Sequence, residues 1–448
     1  MKIEIPAQAA AVLGRLERAG HQAWCVGGCV RDSLLGRSPA DWDVATSALP
    51  AETAACFAGF TLVEAGRRHG TIGVVTGQGT VEVTTFRVDG GYTGHRRPQQ
   101  VAFTPRLEDD LARRDFTVNA MAYHPDRGLR DCFGGEADLR RGLLRCVGEP
   151  ERRFREDALR ILRCLRFAAT LGFAVEEATA RAAQREKALL AALSGERVRE
   201  ELGRLLCGPW ARPVLERYAA IAFTALPELR PLQGCGQETP YHLYDCWGHT
   251  LHVVEAVPPR PLLRWAALLH DCGKPAVKTL EGGIAHFYGH AKAGKAIASG
   301  LLERLRFSNQ QADGILDLIG RHGEPLPMGE TRIKRLLAAL GKESFFDLLA
   351  LIEGDVAAQA EAYRAPRLAM LAQARLLARE VLARGDCLTL AGLAVKGGDL
   401  LAVGYRPGPA LGRALGRLLE EVLAGQLANE KPALLARAVV WLTQGPNM

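Results

Sequence analysis

The chain has no run of eighteen or more uninterrupted apolar residues, so no membrane-spanning helix is expected. Its eleven cysteines include no Cys-x-x-Cys pair, which removes the zinc sites built on that spacing. They are odd in number and scattered, which argues against a disulfide framework and for reduced, half-buried packing residues. Glu4 stands where the apolar run of a secretory leader would begin, so none is expected and the chain reads as cytoplasmic. Charge of one sign is also scarce. Lys and Arg number 57 against 50 Asp and Glu, a net +7 that suits a polyanionic partner without demanding one. No strongly basic, disordered tail and no internal repeat is present. What remains is a soluble globular composition, 48% hydrophobic and 24% charged, over 448 residues, enough for two to four domains.

The first 125 or so residues mix periods of two and 3.6. A helix from about Pro6 to Ala19 is followed by a strand at Ala23–Val26, a Gly-Gly turn, a short helix, and a strand near Asp41–Ala45. Thr71–Thr76 and Thr80–Arg87 read as a hairpin around Gly77-Gln78-Gly79. From Glu151 onward Ala and Leu recur at helical spacing, and strand-like alternation nearly vanishes. Breaks at Gly208-Pro209 and between Pro227 and Pro240 mark a boundary or linker.

Four motifs carry chemistry in combination, though each alone has a bland reading as a turn, a surface acid pair or an ion-paired helix. In Val26-Gly27-Gly28-Cys29-Val30-Arg31-Asp32, the absent side chains of Gly27 and Gly28 let backbone N–H groups approach phosphate, and Arg31 adds a fork of donors. In Asp41-Trp42-Asp43, alternation along a strand puts both carboxylates on one face, where a hard cation would relieve their repulsion. Paired Mg²⁺ ions there would clamp a triphosphate and activate an attacking hydroxyl. Glu82 is a candidate third carboxylate from a neighbouring strand. In Arg113-Arg114-Asp115-Phe116-Thr117-Val118-Asn119, the arginines suit a triphosphate or sugar, and Asp115 and Asn119 suit ribose hydroxyls. Finally, Arg155 to Arg166 reads as one helix in which Arg160, Arg163 and Arg166 recur at every third position. Asp157 and Arg160 are then i,i+3 neighbours that can face one planar base. A carboxylate accepts from an exocyclic amine and a guanidinium donates to ring acceptors, the pattern shared by cytosine and adenine. Uracil and guanine would leave buried polar groups unpaired, and sites of that kind discriminate by roughly 10⁴-fold or more.

Together the motifs resemble those of the class II tRNA nucleotidyltransferase and bacterial poly(A) polymerase family, over residues 20–205. The likeness extends to Asp131-Cys132-Phe133-Gly134-Gly135 and Glu196-Arg197-Val198-Arg199-Glu200-Glu201-Leu202. It implies an α+β nucleotidyltransferase head with a DNA polymerase β-like mixed sheet, followed by all-α neck, HD and tail domains. It also implies Mg²⁺ on Asp41 and Asp43, and the incoming CTP or ATP on Gly28, Arg31 and Arg114. Asp157, Arg160, Arg163 and Arg166 would form a protein template and its phosphate contacts, with tRNA as the acceptor. Ala158, where poly(A) polymerases usually show proline, tilts toward CCA addition. The segment Val88–Phe103, with Tyr92, Arg96 and Pro98, looks like the flexible element needed for the final adenosine. Adenosine-only addition and poly(A) synthesis stay as alternatives. So does a phosphohydrolase whose head merely binds nucleotide, against which Asp41, Asp43 and Arg160 argue.

In the second half, His249, the His270-Asp271 doublet, His290, His322 and Asp355 each sit on or at the end of an expected helix. Their order resembles the HD phosphohydrolase superfamily over residues 240–360. Imidazoles with carboxylates suit Ni²⁺, Mn²⁺, Co²⁺ or a similar transition metal, whose bound water would attack a phosphoester. The expected division is head 1–145, helical neck 146–225, HD domain 226–365 and helical tRNA-binding tail 366–448, with no obligate protein partner.

Overall fold

The computed structural model describes residues 3–90, 92–93, 97–98 and 101–444. His95 and Arg96 of the expected flexible loop lie outside the described residues. Contacts divide the chain into two units, Met1–Pro227 with Arg304–Arg306, and Glu228–Glu303 with Phe307–Met448.

The first unit opens with α1 (Ala7–Arg18), β1 (Ala23–Val26), α2 (Gly28–Leu34), β2 (Asp43–Thr46), α3 (Pro50–Cys56), β3 (Thr61–Val63), β4 (Thr71–Thr76) and β5 (Gly79–Thr85). Short ribbons follow: β6 (Arg87–Asp89) pairs with β9 (Val101–Phe103), and β7 (Tyr92–Thr93) with β8 (Arg97–Pro98). Then come α4 (Leu107–Ala112), β10 (Met121–His124), β11 (Gly128–Asp131), α5 (Gly135–Arg141) and β12 (Leu143–Leu144). The seven-stranded sheet has the order β11-β10-β1-β2-β5-β4-β3. Only β2 and β5 run parallel within it, and their register sets Asp43 opposite Glu82.

Physical causes are readable in each element. Ala9, Val12, Leu13 and Leu16 recur at helical spacing and are all buried, so α1 presents one apolar stripe to the sheet. All four residues of β1 are buried, as a central strand requires. Trp24, Val26, Ala45, Phe86, Leu107, Leu111 and Ala122 form the core that fixes β1, β2 and α4 together. Each large apolar side chain buried there contributes about 1.5–3 kcal/mol against exposure.

Helices take over with α6 (Pro150–Glu156), α7 (Leu159–Leu171), α8 (Glu177–Arg185), α9 (Gly195–Leu206), α10 (Ala211–Arg217) and α11 (Ala219–Ala225), with β13 (Ala174–Val175) beside β12. One expectation fails here. The segment from Arg155 to Arg166 is two helices, because Asp157 is extended (φ −140°, ψ 106°). Its carboxylate accepts the Leu159 N–H at 3.1 Å, and such local side-chain bonds compete with a continuous helix.

The second unit holds α12 (Cys246–Ala256), α13 (Pro261–Leu269), α14 (Lys274–Val277), α15 (His290–Arg304), α16 (Asn309–Arg321), α17 (Glu330–Ala357), α18 (Glu361–Arg384), α19 (Gly397–Ala402), α20 (Pro409–Leu423) and α21 (Lys431–Thr443). It also contains a hairpin that helical spacing on both sides had hidden, β14 (Thr279–Glu281) with β15 (Ile284–His286). Its turn is Gly282-Gly283, with φ of 57° and 81°, the left-handed pair that a tight two-residue hairpin demands. Among the described residues no helix is long and apolar enough to cross a membrane.

Candidate functional sites

A cavity of about 570 Å³ in the first unit gathers residues scattered from Gly27 to Arg204. Gly27, Gly28, Arg31, Asp41, Asp43, Arg114, Asp157, Arg160, Arg163 and Arg166 all line it. Glu82 does not. It is an exposed strand residue whose backbone pairs with Asp43 and whose charge still acts on it. Asp41 precedes β2 instead of lying within it, so the shared face of a strand does not explain the pair. Both carboxylates nonetheless reach the cavity. Burial, with Glu82 and Asp41 adding repulsion against the pull of Arg114, pushes the Asp43 carboxyl up to about 6. A crowded, half-buried acid of this kind is a place where a divalent cation is welcome.

The glycine turn has a steric reason. Gly27 has φ 79°, and a Cβ there would meet Arg114 Nη1 at 2.8 Å. The guanidinium of Arg114 therefore lies against bare backbone. Arg31 is clamped by Asp32 (2.8 and 2.9 Å) and donates to Asn119 Oδ1 at 2.6 Å. Asn119 in turn donates to Asp115 Oδ1 at 3.1 Å, and Arg163 Nε donates to Asp115 Oδ2 at 2.7 Å. Burial alone would raise the Asp115 carboxyl, but the Arg163 guanidinium holds it down at about 2. Phe167 sits under three cations, Arg166 at 4.1 Å, Arg31 at 5.1 Å and Arg163 at 5.3 Å from the ring centroid.

Asp157 and Arg160 are both on the wall, each already engaged. Asp157 accepts from Arg197 Nη2 at 2.9 and 3.1 Å. Arg160 donates to Glu156 at 2.8 Å and to the carbonyls of Arg153 and Arg113 at 3.1 and 2.9 Å. Arg197, Phe167 and Arg204 are wall residues to which sequence reasoning assigned no role.

The second unit brings its six expected ligands into two groups. The ligand atoms of His249, His270 and Asp355 lie within 4.8 Å of one another, and so do those of Asp271, His290 and His322. Asp271 faces both groups. Its Oδ2 is 3.1 Å from His270 Nε2 and 3.7 Å from His249 Nε2, while Oδ1 is 3.6 Å from His322 and 3.8 Å from His290. Backbone carbonyls of Ala267, Phe287 and Ile319 accept from Nδ1 of His270, His290 and His322 at 2.8, 2.9 and 2.7 Å. A carbonyl can only accept, so each Nδ1 carries the hydrogen and each ring turns its Nε2 to the interior. The Nε2 atoms of His290 and His322 stand 3.1 Å apart. Two lone pairs so placed need a cation or a shared proton between them. Against burial, which lowers it, the Asp271 carboxylate raises the His270 pKa, so the pocket draws positive charge. The adjoining cavity, about 540 Å³, includes Asp271, His290, His322, Asp355, Lys274 and His242. Sequence reasoning missed His242. Burial, reinforced by the Lys274 ammonium, pushes its imidazole down to about 3.

Residues 23–145 match the family described as the Poly A polymerase head domain. Residues 172–224 match one described as a probable RNA and SrmB-binding site of polymerase A, and residues 278–438 one described as tRNA nucleotidyltransferase domain 2, putative. The CCA-adding enzyme of Lactobacillus delbrueckii subsp. bulgaricus is 35% identical over 437 residues, covering 96% of this chain and 97% of that one. This chain belongs to the CCA-adding enzyme family. The relative from Limosilactobacillus fermentum is 34% identical and covers 98% of each chain. The crystal structure of the Bacillus stearothermophilus CCA-adding enzyme in complex with CTP superposes with a TM-score of 0.74, at 31% identity over 99% of each chain. A CCA-adding enzyme needs to accept two bases and refuse two. The cavity wall of this member holds Asp157 and Arg160, the side chains whose donor and acceptor pattern suits that choice.

Proposed function

We propose that this chain rebuilds the CCA end of tRNA from CTP and ATP without a nucleic-acid template. The observation that carries this reading is the convergence of Asp41, Asp43, the Gly27 turn, Arg114, Asp157 and Arg160 on one cavity, in a chain of this family. Asp41 and Asp43 would hold Mg²⁺, which when bound supplies charge neutralisation at the triphosphate and a more acidic attacking hydroxyl. Glu82 backs Asp43 from the next strand. Arg31 and Arg114 grip phosphate or sugar oxygens beside the glycines. Asp157 and Arg160 read the base edge, with Arg163 and Arg166 as the cationic floor. The test offers tRNAs lacking CCA, CA or A, with each NTP separately, and reads products at nucleotide resolution. Addition of C, C and then A, with UTP and GTP refused, is expected. Extension by adenosine alone, or without regard to the acceptor, would overturn the assignment.

A second reading concerns the other unit. The facing lone pairs of His290 and His322, and the Asp271 carboxylate between two ligand groups, favour a metal-dependent phosphohydrolase site. His249, His270, Asp271 and Asp355, with His290 and His322, would hold Ni²⁺, Mn²⁺, Co²⁺ or a similar ion, which when bound supplies an activated water. Hydrolysis of a 2′,3′-cyclic phosphate to a monoester, and of a 3′-phosphomonoester to the alcohol and inorganic phosphate, would restore the free 3′-hydroxyl that extension needs. Loss of that hydrolysis in the His270→Ala, Asp271→Ala double variant, with nucleotide addition intact, is the expected result. No hydrolysis by wild type with any of these metals would sink it. On this reading the working parts are the head 1–145, neck 146–225, HD domain 226–365 and tRNA-binding tail 366–448.

A further inference from the structure

We propose that Asp110 is a positioning residue that sets the cations for the triphosphate and, through the same segment, the arginine that reads the base. The inference rests on the reading that the first cavity takes a nucleoside triphosphate. Asp110 lies on α4 behind the cavity wall, with 0% of its side chain exposed. Both of its oxygens are committed. Oδ1 accepts from Arg113 Nε and Nη2 at 2.9 and 2.7 Å, and Oδ2 from Arg114 Nη2 at 3.2 Å. Its neighbours Arg113 and Arg114 keep 17% and 18% exposure and line the cavity, so the carboxylate ties two wall guanidiniums together.

Two consequences follow from geometry. Arg114 is stretched between two acids. Its Nη2 binds Asp110, its Nη1 lies over Gly27 where a Cβ would approach to 2.8 Å, and its charge acts on Asp43. Releasing the Asp110 end removes the bond that holds the guanidinium over the glycine turn. Arg113 has a different role. Its side chain is tied to Asp110, while its main-chain carbonyl accepts Arg160 Nη2 at 2.9 Å. A shift of the Arg113 backbone is therefore passed to the base-facing guanidinium. One buried carboxylate thus connects phosphate grip and base choice. A buried charge costs several kcal/mol unless it is compensated, and here both compensating groups are wall residues of the active cavity.

The experiment replaces Asp110 by Asn, which keeps the shape but removes the charge and turns an N–H toward a guanidinium. Charge-assisted bonds of this kind correspond to an expected rise of about 10- to 100-fold in KM for both CTP and ATP. The Ki of inorganic tripolyphosphate, a probe of the phosphate subsite alone, rises by the same factor, and discrimination against UTP and GTP falls. KM for tRNA stays within about twofold, which a general loss of structure would not allow. Arg113→Gln cuts the same tie from the exposed side and serves if Asp110→Asn fails to fold, and Asp110→Glu restores the charge and part of the affinity. Arg114→Gln is the control for the underlying reading. An unchanged tripolyphosphate Ki in Asp110→Asn, or in Arg113→Gln where the first variant does not fold, overturns the inference if Arg114→Gln raises it. An unchanged Ki in both Asp110→Asn and Arg114→Gln overturns the triphosphate assignment itself.

Discussion

Nickel, manganese or cobalt added to the metal-stripped chain should raise the melting temperature of its second unit, and the size of the rise should count the ions. A ligand that binds only the folded state stabilises it by about 2.7 kcal/mol at a free concentration one hundred times its Kd. For a unit of 150–250 residues, each kcal/mol moves Tm by about 2–4 °C, so one ion corresponds to roughly 5–10 °C. Two ligand groups lie in the unit, His249 with His270 and Asp355, and His290 with His322 and Asp271. Filling both should approach twice the single shift. The variants then separate the groups. His270→Ala removes one ligand atom from the first group and should cut the metal-induced shift by about half. Asp271→Ala should abolish nearly all of it, because its two oxygens face the two groups from opposite sides. Scanning calorimetry reads the shift within each variant, metal-loaded against chelated, so the lower starting stability of a variant does not enter. Mg²⁺ should do much less than the three transition ions, since imidazole nitrogen suits softer cations. A Tm that ignores all three ions, or a shift as large in Asp271→Ala as in wild type, would refute the two-group reasoning.

Three further outcomes are expected. Asp41→Ala and Asp43→Ala should each abolish addition of both C and A while tRNA binding stays nearly intact; incorporation within tenfold of wild type in either variant contradicts the metal assignment. Arg160→Ala and Asp157→Ala should lower selectivity against UTP and GTP as well as rate, and undiminished discrimination in both would move the readout elsewhere. Asp115→Asn should cost the first unit about 2 kcal/mol at neutral pH, from the depression of its pKa to about 2. A depressed acid stabilises above its unfolded pKa and loses that contribution as pH falls from about 4 to about 2. Urea titrations should therefore show the gap between variant and wild type closing below pH 4, and a constant gap would refute the charge argument.

What could be read in advance was whatever chemistry lies close together in the chain. The Gly27-Gly28 turn, the Asp41/Asp43 pair and the Arg113–Asn119 run are contiguous, and strand β1 has the boundaries its apolar run suggests. The hairpin β4–β5 was legible from its glycines, and by the same logic Gly282-Gly283 between Thr279 and His286 was a readable signal passed over in a helical neighbourhood. Other features were set by tertiary partners. The Asp157 carboxylate at the helix break is also bound by Arg197, forty residues away, and the spacing of arginines alone argued for continuity. Asp110 carries no motif of its own. Only the burial of its carboxylate between Arg113 and Arg114 distinguishes it from the half-buried acids beside it on α4.

The pairing of Asp157 and Arg160 with other partners bears on how selectivity would arise. Asp157 is satisfied by Arg197 and Arg160 by Glu156 and two carbonyls. On the proposed reading, an incoming base must compete with bonds already made. Cytosine or adenine returns to each side chain a partner of the right kind: an amine for the carboxylate, ring acceptors for the guanidinium. Uracil or guanine would set a carbonyl against Asp157 and an N–H against Arg160 and return nothing, so the lowest-energy state keeps the internal pairs and excludes the base. Selectivity then comes from the cost of an uncompensated exchange, which is larger than the net value of any one hydrogen bond. It follows that weakening the internal pairs, as Arg197→Ala or Glu156→Ala would, should strengthen binding of all four NTPs by a similar factor, because breaking those pairs costs every base the same. Unchanged binding of all four NTPs in both variants would show that the internal pairs do not compete with the base.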